Sequence, residues 1–449
     1  MKQSTETFPD VSKSYALYER AGELIPGHVQ LISRRASRFA NGVSPVYAVS
    51  AKGSRFVDVD GNEYIDWVNA VTAVILGHAD EVVASAVKEQ IDRGSIYTLN
   101  SPLEVELAEE LIKTIPSAQM VRYTKGGGEA CSVAARIARG TTGRDKILFC
   151  GYHGWHDWYQ SANYGIDPQT GEFPFAGIEP VGVPKSLAGT AIPFVYGDLD
   201  GLEKLLKEHS SDVAGIMMEP LRSQLPPEGY LEGVKALAKE HDVILIFDEV
   251  SCGWRLAIGG VQELLGIVPD MTVVAKCMSN GYPMGAVVGS REVMEPAGRM
   301  FVSSSYWSDN VGLIATLTTI RELKRRNSPK RFREIGGALR TALTEALAAA
   351  GMGGTVGGLE TAPSIRFDLP DESLRGKVNT LFVQEMARRG VHAGVGFVAT
   401  LAHTSEDIRQ TAEVAQKVFS VIKQAIDAGE VDKILVCDLT QDAFRRLVH

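Results

Sequence analysis

The chain has 449 residues, enough for two or three domains at roughly 150 residues each. Its 45% hydrophobic and 22% charged content is that of an ordinary globular protein, and a net charge of -9 argues against nucleic acid as a main partner. No apolar run approaches the roughly 20 residues of a membrane span, so no membrane partner is expected.

The opening MKQSTETFPDVSKSY lacks the apolar core of a signal peptide. Cys131, Cys150, Cys252, Cys277 and Cys437 are scattered without paired metal spacing. A reduced, cytoplasmic protein with no bound metal is therefore expected, and Cys277 reads as a small packing residue.

In chain order, residues 12–24 are predicted helical, ended by Pro26-Gly27. Arg34, Arg35 and Arg38 follow, either a solvated face or a fork for a substrate carboxylate. Residues 45–67 read as antiparallel strands turning at Asp60-Gly61-Asn62. A helix is expected over about 79–92 and an amphipathic one over 102–115. A short strand, 120–123, runs into TKGGGE and a helix over 130–139. Strand, glycine run and helix is the geometry that binds phosphate through free amides and a positive helix end. Three glycines also make an ordinary tight turn. Gly126, Gly127 and Gly128 are the candidates.

The strand 146–150 leads into GYHGWHDW. Tyr152, His153, Trp155, His156 and Trp158 could form a stacking platform for a flat ring or pack under a loop. Two histidines three apart, with no further ligands near, do not make a metal site. A strand is expected at 191–196, a helix at 199–209, a strand at 213–218 ending in Glu219-Pro220, and a helix at 230–241. This alternation predicts a mostly parallel sheet with helices on both faces.

Val243–Phe247 is an apolar run ending in Asp248, and Met271–Ala275 is another ending in Lys276. An acid and an amine, each at the mouth of a buried strand, are what a pyridoxal phosphate site requires. The lysine would form the Schiff base, and the carboxylate would hold the pyridine nitrogen protonated. Helical runs at 311–326 and 329–350 break at Asn327-Ser328-Pro329. Beyond them come a strand 364–368, helix 374–389, strand 397–401 and helix 405–428, a compact α+β domain. The expected division is residues 1–60 as an N-terminal part of the small domain, 61–328 as the large domain, and 329–449 as the C-terminal small domain.

These pieces converge. The stretch EAxxxAxRxARxxTGRDKI at 129–147, GYHGWHD, MMEP at 217–220, LIFDEV–xxGWR at 245–255, GGVQELLGIVPDMTVVAK at 259–276, GYPMGAVVG at 281–289 and LAHTSEDI at 401–408 cover most of the chain. On them the chain resembles the class III pyridoxal-phosphate aminotransferases, and among these the glutamate-1-semialdehyde 2,1-aminomutases and enzymes like them. The resemblance implies an α/β, type I fold and a homodimer with active sites at the subunit interface. It implies Lys276 as the Schiff-base lysine, Asp248 on the pyridine nitrogen, Tyr152 stacked on the ring and Val250 against its other face. Gly126, Gly127 and Gly128 would hold the phosphate. Glu219 would sit near the phenolic edge, and His153 would belong to the same cofactor site.

Several positions depart from the family. Gly126-Gly127-Gly128 stands where Ser-Gly-Thr is usual, so two hydroxyl phosphate ligands are gone. Tyr306 aligns with a partner-subunit threonine, which Ser304 or Ser305 would replace. The aminomutase's substrate arginine aligns with Arg34, with Arg35 and Arg38 open. Val71 stands for a tryptophan, and the segment AGVGFVATLAHT is shortened and lacks its glutamate. These changes fall where substrate is recognised. The expected activity is transfer of an amino group between a small-molecule amine and a carbonyl acceptor. The alternative is an intramolecular aminomutase, and a non-catalytic cofactor-binding protein is the reading from a different class.

Overall fold

The computed structural model describes residues 8–165, 175–176, 179–221, 223–369, 371–441 and 445–446. It divides into two units, Met1–Asp80 with Lys330–Ala443, and Glu81–Pro329 with Phe444–His449. No helix among the described residues is long and apolar enough to cross a membrane.

The second unit is built on a seven-stranded sheet. Its spatial order is Met120–Thr124, Gly285–Gly289, Met271–Val274, Ile244–Asp248, Val213–Met218, Lys146–Cys150, Ala191–Pro193. From Met271–Val274 outward to Ala191–Pro193 every neighbouring pair is parallel. Gly285–Gly289 runs antiparallel to both its neighbours. Residues 275–284 are too few for the dozen or more a parallel crossover needs, so the chain turns back.

Alternation along the strands gives the sheet two apolar faces. Ile147, Phe149, Ile244 and Ile246 pack with Ala130, Cys131, Ala134 and Ile137 of the Gly127–Thr142 helix. Leu148, Cys150, Leu245 and Phe247 pack with helices Leu199–Glu208 and Tyr230–Glu240 on the other side. Asp248 is in phase with Ile244 and Ile246, so its side chain turns to the Gly127–Thr142 face. That parity decides much of the site chemistry.

In the first unit Ala48–Lys52, Arg55–Asp58 and Glu63–Asp66 form an antiparallel meander, with Val391–His392 parallel to the last. The Asp58 carboxylate accepts the amides of Asp60 and Asn62 at 3.0 and 2.7 Å and holds the predicted turn. The sequence starts the large domain at residue 61. The structure keeps 61–80 in the first unit, because Glu63–Asp66 is an inner strand of this sheet. The core of this unit is aromatic, with Phe367, Phe382, Phe397 and Phe419 in edge and stacked contacts. The strand predicted at 397–401 does not form. Phe397 and Ala399 donate to Pro363 and Thr361, while Val398 and Leu401 donate to Trp67 and Ile75. Alternating amides are what an inner strand offers its two neighbours, but a ladder also needs bonds returned to the carbonyls, and the Val398 carbonyl is taken by Asn69 Nδ2 at 2.6 Å.

Candidate active site

Asp248 is the last residue of its strand and only 3% exposed. Its Oδ2 accepts His153 Nδ1–H at 2.8 Å and the Cys131 thiol at 3.3 Å, and its Oδ1 accepts the Val250 amide at 3.0 Å. A carboxylate offers about four acceptor positions. One is left, which fits a protonated ring nitrogen. Ligand atoms of Cys131, His153 and Asp248 lie within 4.8 Å of one another, a spacing a metal could use, but here they are joined by hydrogen bonds to one oxygen. The next residue, Glu249, turns away and accepts the amides of Val261 and Gln262 at 2.7 and 3.4 Å. Burial pushes its carboxyl up to about 7 against the pull of those bonds. Two adjacent acids thus take different roles from strand parity alone.

Lys276 follows the neighbouring strand, Met271–Val274. Its φ is 44°, in the left-handed region that non-glycine residues occupy at a cost of about 1–3 kcal/mol and mostly at functional sites. The twist turns the side chain to the strand's mouth, where Nζ donates to Ser251 Oγ at 2.8 Å. Ser251 comes three residues after Asp248. The loops from two adjacent parallel strands therefore bring acid, amine and hydroxyl together.

The Gly127–Thr142 helix starts at Gly126 with no side chain capping it, leaving its first amides and positive end to an anion. The three glycines have different reasons. A Cβ at Gly127 would stand 2.8 Å from Val250 Cγ1, and one at Gly128 would stand 3.1 Å from the Gly154 backbone. Gly154 itself has φ +99° and its own Cβ would lie 2.4 Å from Gly128 Cα. A Cβ at Gly126 meets nothing within 4 Å. Only Gly126 is therefore free to regain a hydroxyl. Gly126→Ser is expected to slow cofactor loss on dilution about tenfold, the worth of one hydrogen bond to a phosphate. Adding Gly128→Thr should cancel the gain, because backbone must shift to admit it. Loss of bound absorption with time after dilution measures both.

Glu219 follows Val213–Met218 and its Oε2 accepts the Tyr152 amide at 3.1 Å. Gly151, at φ +119°, is required there, since a Cβ would stand 2.5 Å from Glu219 Oε2. The Tyr152 ring meets Tyr159 edge-on at 5.9 Å. His153 is fully buried, while Trp155 is 67% exposed and stacks on His156. The aromatic segment thus splits, with Tyr152, His153 and Trp158 turned inward and Trp155 outward.

Ser304 and Ser305 stand exposed on the loop before the Asn310–Arg325 helix. Arg34, Arg35 and Val71 lie in the first unit, where they line one cavity of about 510 Å³ with Tyr47, Phe56 and His392. Arg38 does not line it, and its Nη1 donates to the Gln441 carbonyl at 2.6 Å. Two residues of the site were not singled out from sequence, Cys131 and Ser251. The helical phase of Cys131, three and seven residues before Ala134 and Ala138, is the signal that could have found the first.

A two-faced parallel sheet with an acid, a lysine and an uncapped helix start at its carboxyl edge defines a cofactor-dependent α/β enzyme. The family model of the class-III aminotransferases matches residues 38–419, and the chain belongs to that family. It is 33% identical over 427 residues to a 3-aminobutyryl-CoA aminotransferase of Cloacimonas acidaminovorans, covering 93% of this chain and 99% of that one. It is 35% identical over 431 residues to a glutamate-1-semialdehyde 2,1-aminomutase of Desulforamulus reducens, covering 92% and 98%. An omega-transaminase from Sphaerobacter thermophilus superposes with a TM-score of 0.80 at 29% identity, over 91% of this chain and 98% of that one. The Sphingopyxis FumI protein, in its PLP internal aldimine form, gives 0.84 at 25% identity over 95% and 100%. The fold is that of the type I pyridoxal-phosphate transaminases, as the sequence predicts.

Proposed function

We propose that this class III aminotransferase moves an amino group between a separate amine or amino acid and a separate carbonyl acceptor, using pyridoxal 5'-phosphate bound through Lys276. The observation that carries the reading is the pairing of Asp248, with one acceptor position left, and Lys276 at the mouths of adjacent parallel strands. When bound, the cofactor supplies an aldehyde carbon for covalent attachment of the amine and a ring that takes up electrons.

The rest is the work of the chain. Asp248 holds a proton at the ring nitrogen. Lys276 Nζ would take up and hand on the proton of the substrate carbon, with Ser251 Oγ keeping the amine in reach. The amides of Gly127 and Gly128 would hold the phosphate, with Gly126 opening the helix. Tyr152 and Val250 would flank the ring and Glu219 would stand by its phenolic edge, while His153 steadies Asp248. Arg34 and Arg35 are proposed to bind a substrate carboxylate, and Val71 to leave room beside it, which their shared cavity supports. Ser304 and Ser305 are proposed to act on the phosphate of a second copy's site. That makes the working form a homodimer, in a cytoplasmic setting.

The second reading, an aminomutase, is supported by the 35% identity to an enzyme of that name. It uses the same residues but needs no external partner. Supplying glutamate-1-semialdehyde alone separates the two. Little 5-aminolevulinate is expected, because Val71 and the shortened 393–397 segment remove the bulk and the acid that would confine one small substrate. Turnover should appear with amine and carbonyl pairs. Conversion of the semialdehyde alone, faster than any two-substrate pair, overturns the reading.

A further inference from the structure

We infer that Cys131 is a positioning residue for the electron sink: its thiol donates a hydrogen bond that, with His153, fixes the plane of the Asp248 carboxylate against the cofactor ring. The inference rests on the assignment of Asp248 to the ring nitrogen, and nothing in the sequence of the 129–147 segment announces it.

The geometry begins with strand parity. Asp248 is in phase with Ile244 and Ile246, so it points at the Gly127–Thr142 helix, where Cys131 sits one turn in from the phosphate-binding end. One rigid helix thereby presents free amides at its start and a thiol to the acid behind it. Sγ lies 3.3 Å from Asp248 Oδ2, and His153 Nδ1 reaches the same oxygen at 2.8 Å. The Val250 amide holds the other oxygen at 3.0 Å. Donors on both oxygens, from a helix, a loop and the backbone, stop rotation of the carboxyl about its Cβ–Cγ bond.

Cys131 is 1% exposed and Asp248 3%. Burial, then the neighbouring Asp248, raise the thiol well above its ordinary range, so it stays an S–H donor. A thiol is a weak donor, which orients the oxygen while leaving most of its charge for the ring. An apolar packing role would be served as well by a hydrocarbon of the same size. The surrounding cluster of Ala130, Ala134, Val250 and Ala275 would accept one.

That contrast sets the test. Cys131→Val fills the space without a donor, and Cys131→Ser keeps a donor in an apolar surround. Positioning predicts kcat in the order wild type, Ser, Val, with Val down about three- to tenfold and KM nearly unchanged, the scale of one weak bond to a buried charge. Packing predicts Val above Ser, and that order overturns the inference. The infrared S–H stretch, isolated as the wild-type minus Cys131→Ser difference on the holoenzyme, is a readout independent of turnover. A band below that of the other buried thiols, moving up in Asp248→Asn, is expected. A band at their frequency and insensitive to Asp248 overturns the hydrogen bond, even if Asp248 and Lys276 prove to act as proposed or the Val variant fails to fold.

Discussion

Lys276→Ala is expected to show no measurable turnover and no visible absorption from a lysine-linked cofactor, with the fold intact. In the proposed function the lysine does two things, hold the aldehyde covalently and carry the proton, and alanine can do neither. The backbone argues that the fold survives. Lys276 already stands at φ 44°, and alanine meets the same strain there, so the change in stability should be small. Another lysine is close to a strand mouth. Lys125 follows the Met120–Thr124 strand, but its Nζ is paired with Asp309 and donates to the Pro283 carbonyl at 3.3 Å. It should not substitute. Phosphate contacts at the helix start and Asp248 should still hold the cofactor without a covalent bond, so the free-aldehyde absorption should remain after gel filtration. Trapping with a hydride reductant should label the wild type at Lys276 and leave the variant unlabelled. An unchanged lysine-linked absorption in the variant would show that another amine is the attachment point.

How much of this was legible in the sequence depended on how local each cause was. Val213–Met218 is buried at every position, and such a strand is apolar from end to end, so its bounds stood out without neighbours. Asp248 and Lys276 stood out for the same reason, as polar residues that terminate apolar runs. The 397–401 run was misleading because an extended apolar segment looks alike whether its carbonyls accept from neighbouring backbone or, as at Val398, from a side chain such as Asn69. The glycines were half legible. The missing hydroxyls could be seen, but the backbone approach of Gly154 to Gly128 joins residues far apart in the chain. The three arginines were equal in sequence and unequal in space, since Arg34 and Arg35 line the cavity while Arg38 donates to the Gln441 carbonyl. Cys131 was the least legible. Its helical phase shows only that it faces inward, and what it meets there depends on the parity of a strand more than a hundred residues later.

Asp248→Asn should keep the cofactor and lose most of the rate, about a hundredfold or more, the range for removing one preorganised electrostatic partner of a transition state. The amide is the same size, so the buried cavity persists. Its chemistry differs at both ends. A neutral oxygen cannot stabilise a protonated ring nitrogen as a carboxylate does, so the ring should lose its proton and with it most of its capacity to accept electrons. The donor set adds a second cost. Two donors converge on Oδ2 and one on Oδ1, and asparagine has only one acceptor oxygen. If that oxygen takes the two donors, the NH2 group faces the Val250 amide, donor against donor. The variant should therefore also be less stable by about 1–3 kcal/mol, the cost of a buried polar group left unpaired. The expected pair of results is a large fall in kcat with little change in KM, alongside a moderate fall in melting temperature. Near-normal turnover with cofactor bound would remove Asp248 from the electron sink. Loss of rate without loss of stability would mean that the three donors do not all bind the carboxylate as drawn.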